Sequence, residues 1–127
     1  MARDLFWLAF AGALGTLCRY GLQGFVQRIG GERFPWGTLA VNAAGCFLFG
    51  LIWSLAIERE RLAVSAQTRT IVFVGFMGAF TTFSTFAYET SEFLRVSQWG
   101  LAAGNVLAHN LLGLACLFLG FTVSRWI

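Results

Sequence analysis

Four long apolar stretches divide this chain, at about residues 5–25, 36–57, 70–94 and 99–126, with only short connections between them. A helix needs roughly 20 consecutive apolar residues to cross the hydrocarbon core of a bilayer. Four crossings use nearly all of the 127 residues and leave no room for a soluble domain. Composition agrees: 57% of the residues are hydrophobic and 12% charged, and the mean hydropathy is +0.70, far more apolar than a soluble domain of this length. Lipid offers no hydrogen bonds to the backbone, so stretches of this length read as helices. The expected fold is an all-α integral membrane protein, one four-helix transmembrane domain over residues 1–127.

The punctuation supports these boundaries. Gln27 to Pro35 is polar and carries Gly30-Gly31 and the only proline, a loop ending just before a new helix. Glu58-Arg59-Glu60-Arg61 is a charged stop. Trp7, Trp36, Trp53, Trp99 and Trp126 fall mostly near segment ends, where amphipathic rings sit at the headgroup level. The opening Met1-Ala2-Arg3-Asp4 imitates a secretory signal, but the apolar run that follows is longer than an ordinary signal core, so it reads as an uncleaved first helix.

Nine arginines, no lysine and six acids give a net charge of +3. These charges gather at segment ends, where they meet headgroups, and no nucleic-acid patch is formed. With both termini on one side, Arg3, Arg59, Arg61, Arg69 and Arg125 stand against Arg28, Arg33 and Arg95 on the other. So weak a bias permits insertion in either orientation, as an antiparallel homodimer requires of one sequence. Cys18, Cys46 and Cys116 are odd in number and unpaired in spacing, which argues against a disulfide or zinc framework. Four helices normally fill their own centre with side chains, so a water-filled pathway implies oligomerisation. Gly100, Gly104 and Ala108 form a small-residue stripe on the fourth segment, suited either to that contact or to packing within the chain.

The third segment concentrates polarity at mid-membrane: Gly75 to Phe86 reads GFMGAFTTFSTF. Non-helical backbone survives at that depth only when buried in protein or lining a cavity, so this stretch reads as a broken helix with freed carbonyls. The alternative is a continuous helix whose hydroxyls bond back to preceding carbonyls. Phe76, Phe80, Phe83 and Phe86 recur at helical spacing. Such a stripe serves packing, or it turns the electropositive edges of its rings toward an anion. On the second segment Asn42 is flanked on one face by Thr38 and Gly45, and its amide either binds a neighbouring helix or donates to a passing anion. Asn105 and His109 lie one turn apart on the fourth segment, with Asn110 beside them. Arg19 and Glu89 are the ionisable groups nearest the membrane interior. Arg19 reads either as a charge at a pathway mouth or as a snorkelling anchor.

Three motifs in order, Gly15–Tyr20 (GTLCRY), Pro35–Gly45 (PWGTLAVNAAG) and Gly75–Phe86 followed by Glu89, are similar to those of the CrcB/Fluc family of fluoride channels, over essentially the whole chain. The resemblance implies a dual-topology homodimer in the bacterial inner membrane with two pores, passive fluoride efflux from the cytoplasm, and hence fluoride resistance. It implies fluoride-path roles for Asn42, Phe83 and Phe86, with Ser84, Thr85, Thr38 and Glu89 beside them, and a vestibule role for Arg19. It also implies a structural sodium ion at the dimer centre, held by the backbone carbonyls of Gly78 and Thr81. The fourth segment departs from the family pattern. Relatives often carry Tyr and Ser one turn apart, where this chain has Asn105 and His109, with Asn110 an alternative match. A proton-coupled exporter would need a carboxylate deep in the bundle, and the first segment offers only Asp4 at its edge. An assembly subunit remains a third class. An enzyme built on His109, Cys46 or Glu89 lacks a recognisable constellation.

Overall fold

A computed structural model of the chain describes residues 1–58 and 64–127. The described residues are helical, without strands, and four helices are long and apolar enough to cross a membrane: Ala2–Gly30, Trp36–Glu58, Ala66–Arg95 and Trp99–Val123. We label the elements α1 (Ala2–Gly30), α2 (Trp36–Glu58, its last turn Ser54–Glu58 widened to π geometry), α3 (66–80, with a π stretch at Ile71–Met77), α4 (Phe83–Arg95) and α5 (Trp99–Val123). Arg59, Glu60 and Arg61, counted above as part of the charged stop and of the topology bias, lie outside the described residues.

The helices and the apolar stretches end in different places, because hydropathy reports the solvent while the helix ends where the backbone can no longer continue. α1 begins three residues before the apolar run at Leu5, with the terminal ammonium 3.2 Å from Asp4 Oδ2. It runs past Phe25 to Gly30 and stops at Gly31, whose φ of +81° suits glycine. Gln27, expected in the loop, is helical and organises the turn. Its Nε2 donates to Gly31 O (2.5 Å) and Phe34 O (3.0 Å), and its Oε1 accepts from Gly37 N (3.0 Å). α3 begins before residue 70 because Ser65 caps it, its Oγ accepting from Thr68 N at 3.1 Å. α5 ends at Val123, short of 126, in a turn where the Ser124 and Ser54 hydroxyls are hydrogen-bonded at 2.7 Å in a buried pair.

Glycines set how closely the helices approach. At the α2–α5 crossing, a Cβ on Gly120 would overlap Phe47 O, and one on Gly50 would overlap Leu117 O. At the α1–α3 contact, Gly15 lies against Phe76 O and Ala79, while Gly75 lies against Ala11 and Leu8. One end of the pair is tied by a hydrogen bond between the Gln67 and Asp4 side chains. Large apolar side chains such as Phe6, Leu17, Leu111 and Phe118 cover the outside, as a lipid-facing surface requires. By contrast, a Cβ on Gly100 or Gly104 would meet nothing within 4 Å, so the small-residue stripe of α5 has no intrachain neighbour at those two positions.

Candidate functional site

Between α3 and α4, Thr81 (φ −85°, ψ 160°) and Thr82 (φ −150°, ψ 109°) adopt extended backbone. The last α3 bonds run from Thr81 N and Thr81 Oγ1 to Met77 O, at 3.0 and 3.1 Å. In a continuous helix Thr82 N would next donate to Gly78 O. Instead it donates to Asn42 Oδ1 at 2.8 Å, while Asn42 Nδ2 donates to Thr82 O at 3.0 Å. One amide side chain on α2 thus satisfies both backbone groups of a residue that is only 6% exposed. Thr82 then caps α4: its Oγ1 accepts from Thr85 N (3.2 Å) and lies 2.8 Å from Thr85 Oγ1 and 3.3 Å from Ser84 Oγ. Thr85 N is thereby diverted from Thr81 O, just as Thr82 N is diverted from Gly78 O. Both carbonyls lose the donor that a helix would have aimed at them. Gly45, one turn beyond Asn42, admits this strand of backbone, since a Cβ there would overlap the Thr81 methyl.

The four-phenylalanine stripe splits at this point. Phe76 and Phe80 stack on the α3 side, with centroids 5.8 Å apart and planes at 10°, and Phe80 is buried. Phe83 and Phe86, past the extended residues, stand 5.4 Å apart at 60°. They border a groove of about 580 Å³ together with Asn42, Thr81, His109 and Asn110. Its far wall is apolar, built from Phe49, Phe73 and Phe121. Phe83 is 78% exposed, and the groove is open at its side.

A buried polar chain lies behind Phe86. Gln23 Nε2 of α1 donates to Thr38 Oγ1 (3.3 Å), and Thr38 Oγ1 donates to Glu89 Oε1 (2.6 Å). On the neighbouring turn, Thr90 Oγ1 donates to Phe86 O (2.8 Å) and accepts from Asn105 Nδ2 (2.9 Å). His109 Nδ1 lies 3.0 Å from Asn105 O, and the imidazole sits 4.4 Å from the Phe86 ring. Three buried atoms here have no partner: Glu89 Oε2, Asn105 Oδ1 and His109 Nε2.

The sequence-predicted residues therefore divide into groups. Asn42, Phe83, Phe86, Thr81, Gly78 and His109 border the groove, whereas Thr38, Glu89 and Asn105 belong to the polar chain behind it. Thr85 and Ser84 engage the Thr82 hydroxyl, and Ser84 is exposed. Arg19 is half-buried on α1, away from the groove lining. Sequence reasoning missed Gln23, Thr82 and Thr90. An amide in the apolar first segment was a readable signal for Gln23, but nothing local distinguished Thr82 from its neighbours.

Four helices long and apolar enough to cross a bilayer define an integral membrane protein, and beside the third span lies a largely apolar groove bordered by Asn42, Thr81, Thr82, His109 and Asn110. The family described as "CrcB-like protein, Camphor Resistance (CrcB)" matches residues 6–121, and the chain belongs to it. It is 59% identical over 127 residues to a protein of Nitrosococcus oceani named "Fluoride-specific ion channel FluC", covering 100% of each chain. Proteins of the same name from Desulforapulum autotrophicum and Solidesulfovibrio magneticus are 48% and 46% identical, again over 100% of each chain.

Proposed function

We infer that this chain is a fluoride-selective channel, not an enzyme, through which fluoride leaves the cytoplasm passively across the bacterial inner membrane, giving fluoride resistance. The observation that carries the reading is full-length likeness to proteins named as fluoride-specific channels, 59% identical in one case, in a chain of four membrane-spanning helices whose groove sets Asn42, Thr81 and Thr82 among aromatic side chains. The chemistry suits the ion. Fluoride holds water strongly, so a pathway must replace those hydrogen bonds with fixed donors. Asn42 keeps one N–H beyond the one given to Thr82 O, and the hydroxyls of Thr85 and Ser84 can reorient. The edges of Phe83 and Phe86 carry positive quadrupole density, which accommodates an anion without binding it as a full charge would. Thr38, Glu89, Asn105 and His109 form the inner side of the path, and Arg19 draws anions toward its mouth.

The working unit is an antiparallel, dual-topology homodimer of single four-helix channel domains, each with a broken third helix. The lateral opening of the groove, the exposed Phe83 and the unpartnered Gly100 and Gly104 support a second copy as the missing wall. A structural sodium ion at the dimer centre would be held by the carbonyls of Gly78 and Thr81, the two oxygens whose helical donors are diverted. Hard oxygen ligands of this kind suit that cation.

Vesicles loaded with potassium fluoride and containing the purified protein are expected to release fluoride rapidly once a potassium ionophore is added. Vesicles loaded with potassium chloride should release no more than protein-free controls. A fluoride electrode and a chloride electrode read the two cases, and equal release of both ions defeats the assignment.

A further inference from the structure

Another cavity, of about 560 Å³, opens between the last turns of α2 and α5, lined by Ser54, Glu58, Phe118, Phe121, Thr122 and Arg125. Its surroundings set its depth in the bilayer. Glu58 begins the charged stop that closes the second span, and Trp126, 86% exposed, follows the end of α5 as an interfacial anchor would. The cavity therefore lies at headgroup level. Its floor is closed by Ser54, which is buried and hydrogen-bonded to Ser124. Its rim is open, because Glu58, Thr122 and Arg125 are all exposed. Phe118, 62% exposed, runs from the cavity onto the apolar outside of α5.

The rim carries one acid and one base that do not meet, since no ion pair joins Glu58 to Arg125. Thr122 gives its single hydroxyl hydrogen to Phe118 O at 2.9 Å, so toward the cavity its oxygen can only accept. Glu58 and Thr122 thus offer acceptors, and the Arg125 guanidinium offers a fork of N–H donors suited to a phosphate. A ligand matching both sides needs a cation that bears N–H groups a short distance from an anion. We propose that this cavity holds the headgroup of a zwitterionic aminophospholipid of the phosphatidylethanolamine class, with its phosphate on Arg125 and its primary ammonium on Glu58 and Thr122. The acyl chains leave along Phe118. A choline headgroup has no N–H to donate, and a glycerol headgroup brings no cation to Glu58. The cavity shares Phe121 with the groove but none of the groove's polar residues, so the lipid site is independent of what the groove conducts.

Native mass spectrometry of the purified protein in detergent tests this by titration with phosphatidylethanolamine, phosphatidylcholine and phosphatidylglycerol of identical acyl chains. Wild type should bind the ethanolamine lipid about five-fold more tightly than either of the others, the scale of one exposed charge pair. Glu58→Gln should abolish the preference over phosphatidylglycerol, whose headgroup has no cation to lose. Arg125→Gln should weaken all three lipids alike, by about five-fold, because the phosphate is common to them. Water-soluble phosphoethanolamine, which lacks the chains, should not displace the lipid at equal concentration. Equal binding of the three lipids by wild type, tightest binding of phosphatidylglycerol, or a preference that survives Glu58→Gln overturns the proposal. Displacement by phosphoethanolamine overturns it too, by assigning the cavity to a free zwitterion.

Discussion

Asn42→Ala is expected to lower fluoride efflux by about ten-fold or more and also to destabilise the protein, because it removes both partners of Thr82 at once. A buried backbone group left without a partner costs about 1–3 kcal/mol, and Thr82 would have two such groups. The extended backbone then has two ways to recover: admit water, or return toward a helix with Thr82 N donating to Gly78 O. Either outcome displaces Phe83 and the capping hydroxyls of Thr85 and Ser84. Asn42 is thus a scaffold for the pathway as well as a donor to it. Two measurements separate those roles: efflux from vesicles, and unfolding of the purified protein in detergent. Asn42→Asp keeps the acceptor for Thr82 N but loses the donor to Thr82 O, so it should fall between wild type and the alanine variant in stability. Wild-type efflux and wild-type stability in Asn42→Ala would show that the amide carries neither role.

Gly120→Ala is expected to be the most damaging of the single-methyl additions. The new Cβ would meet Phe47 O, Leu51 N (2.7 Å) and Gly50 C (3.2 Å), all backbone atoms of the facing helix that cannot rotate aside. Over-packing of this kind costs about 1–3 kcal/mol where side chains can adjust, and a backbone-to-backbone contact sits at the upper end of that range. The control is Gly104→Ala on the same helix, where the methyl meets nothing within 4 Å. The fold of the chain should tolerate it. Monodispersity by size-exclusion chromatography and the midpoint of thermal unfolding check both, and equal midpoints for the two variants would remove the crossing at Gly120 as a constraint.

Much of the architecture was readable because lipid is an undemanding solvent to reason about. Each crossing must be long, apolar and internally hydrogen-bonded, and those are properties of consecutive residues. The second apolar stretch, expected at 36–57, and the helix found at Trp36–Glu58 nearly coincide, since Pro35 sets its start. The first differs most, 5–25 against Ala2–Gly30, because charged and polar residues at the interface remain compatible with helix until Gly31 reverses φ. The three motifs that marked the family were equally legible, and they carried the functional reading before any geometry was considered. For the small-residue stripe, sequence offered two uses without a choice between them. The open space at Gly100 and Gly104 shows that the intrachain use does not apply at those two positions.

The candidate site was legible as a list and illegible as an arrangement. TTFSTF announced polarity at depth, but a broken helix and a continuous helix with back-bonded hydroxyls fit its letters equally well. Thr81 does bond back to Met77 O, as the second reading required, while Thr82 leaves the helix altogether. Asn42, 40 positions earlier in the chain, takes both backbone groups of Thr82. What this sequence determined alone is the number of crossings, their approximate limits and the family, because hydropathy and motif order belong to neighbouring residues. Tertiary structure decided which hydrogen bonds the third span gives up, how its phenylalanines divide between core and groove, and which acceptors face inward unpaired. Those outcomes depend on which distant side chain arrives to replace a lost backbone bond, and no stretch of sequence carries the address of its partner.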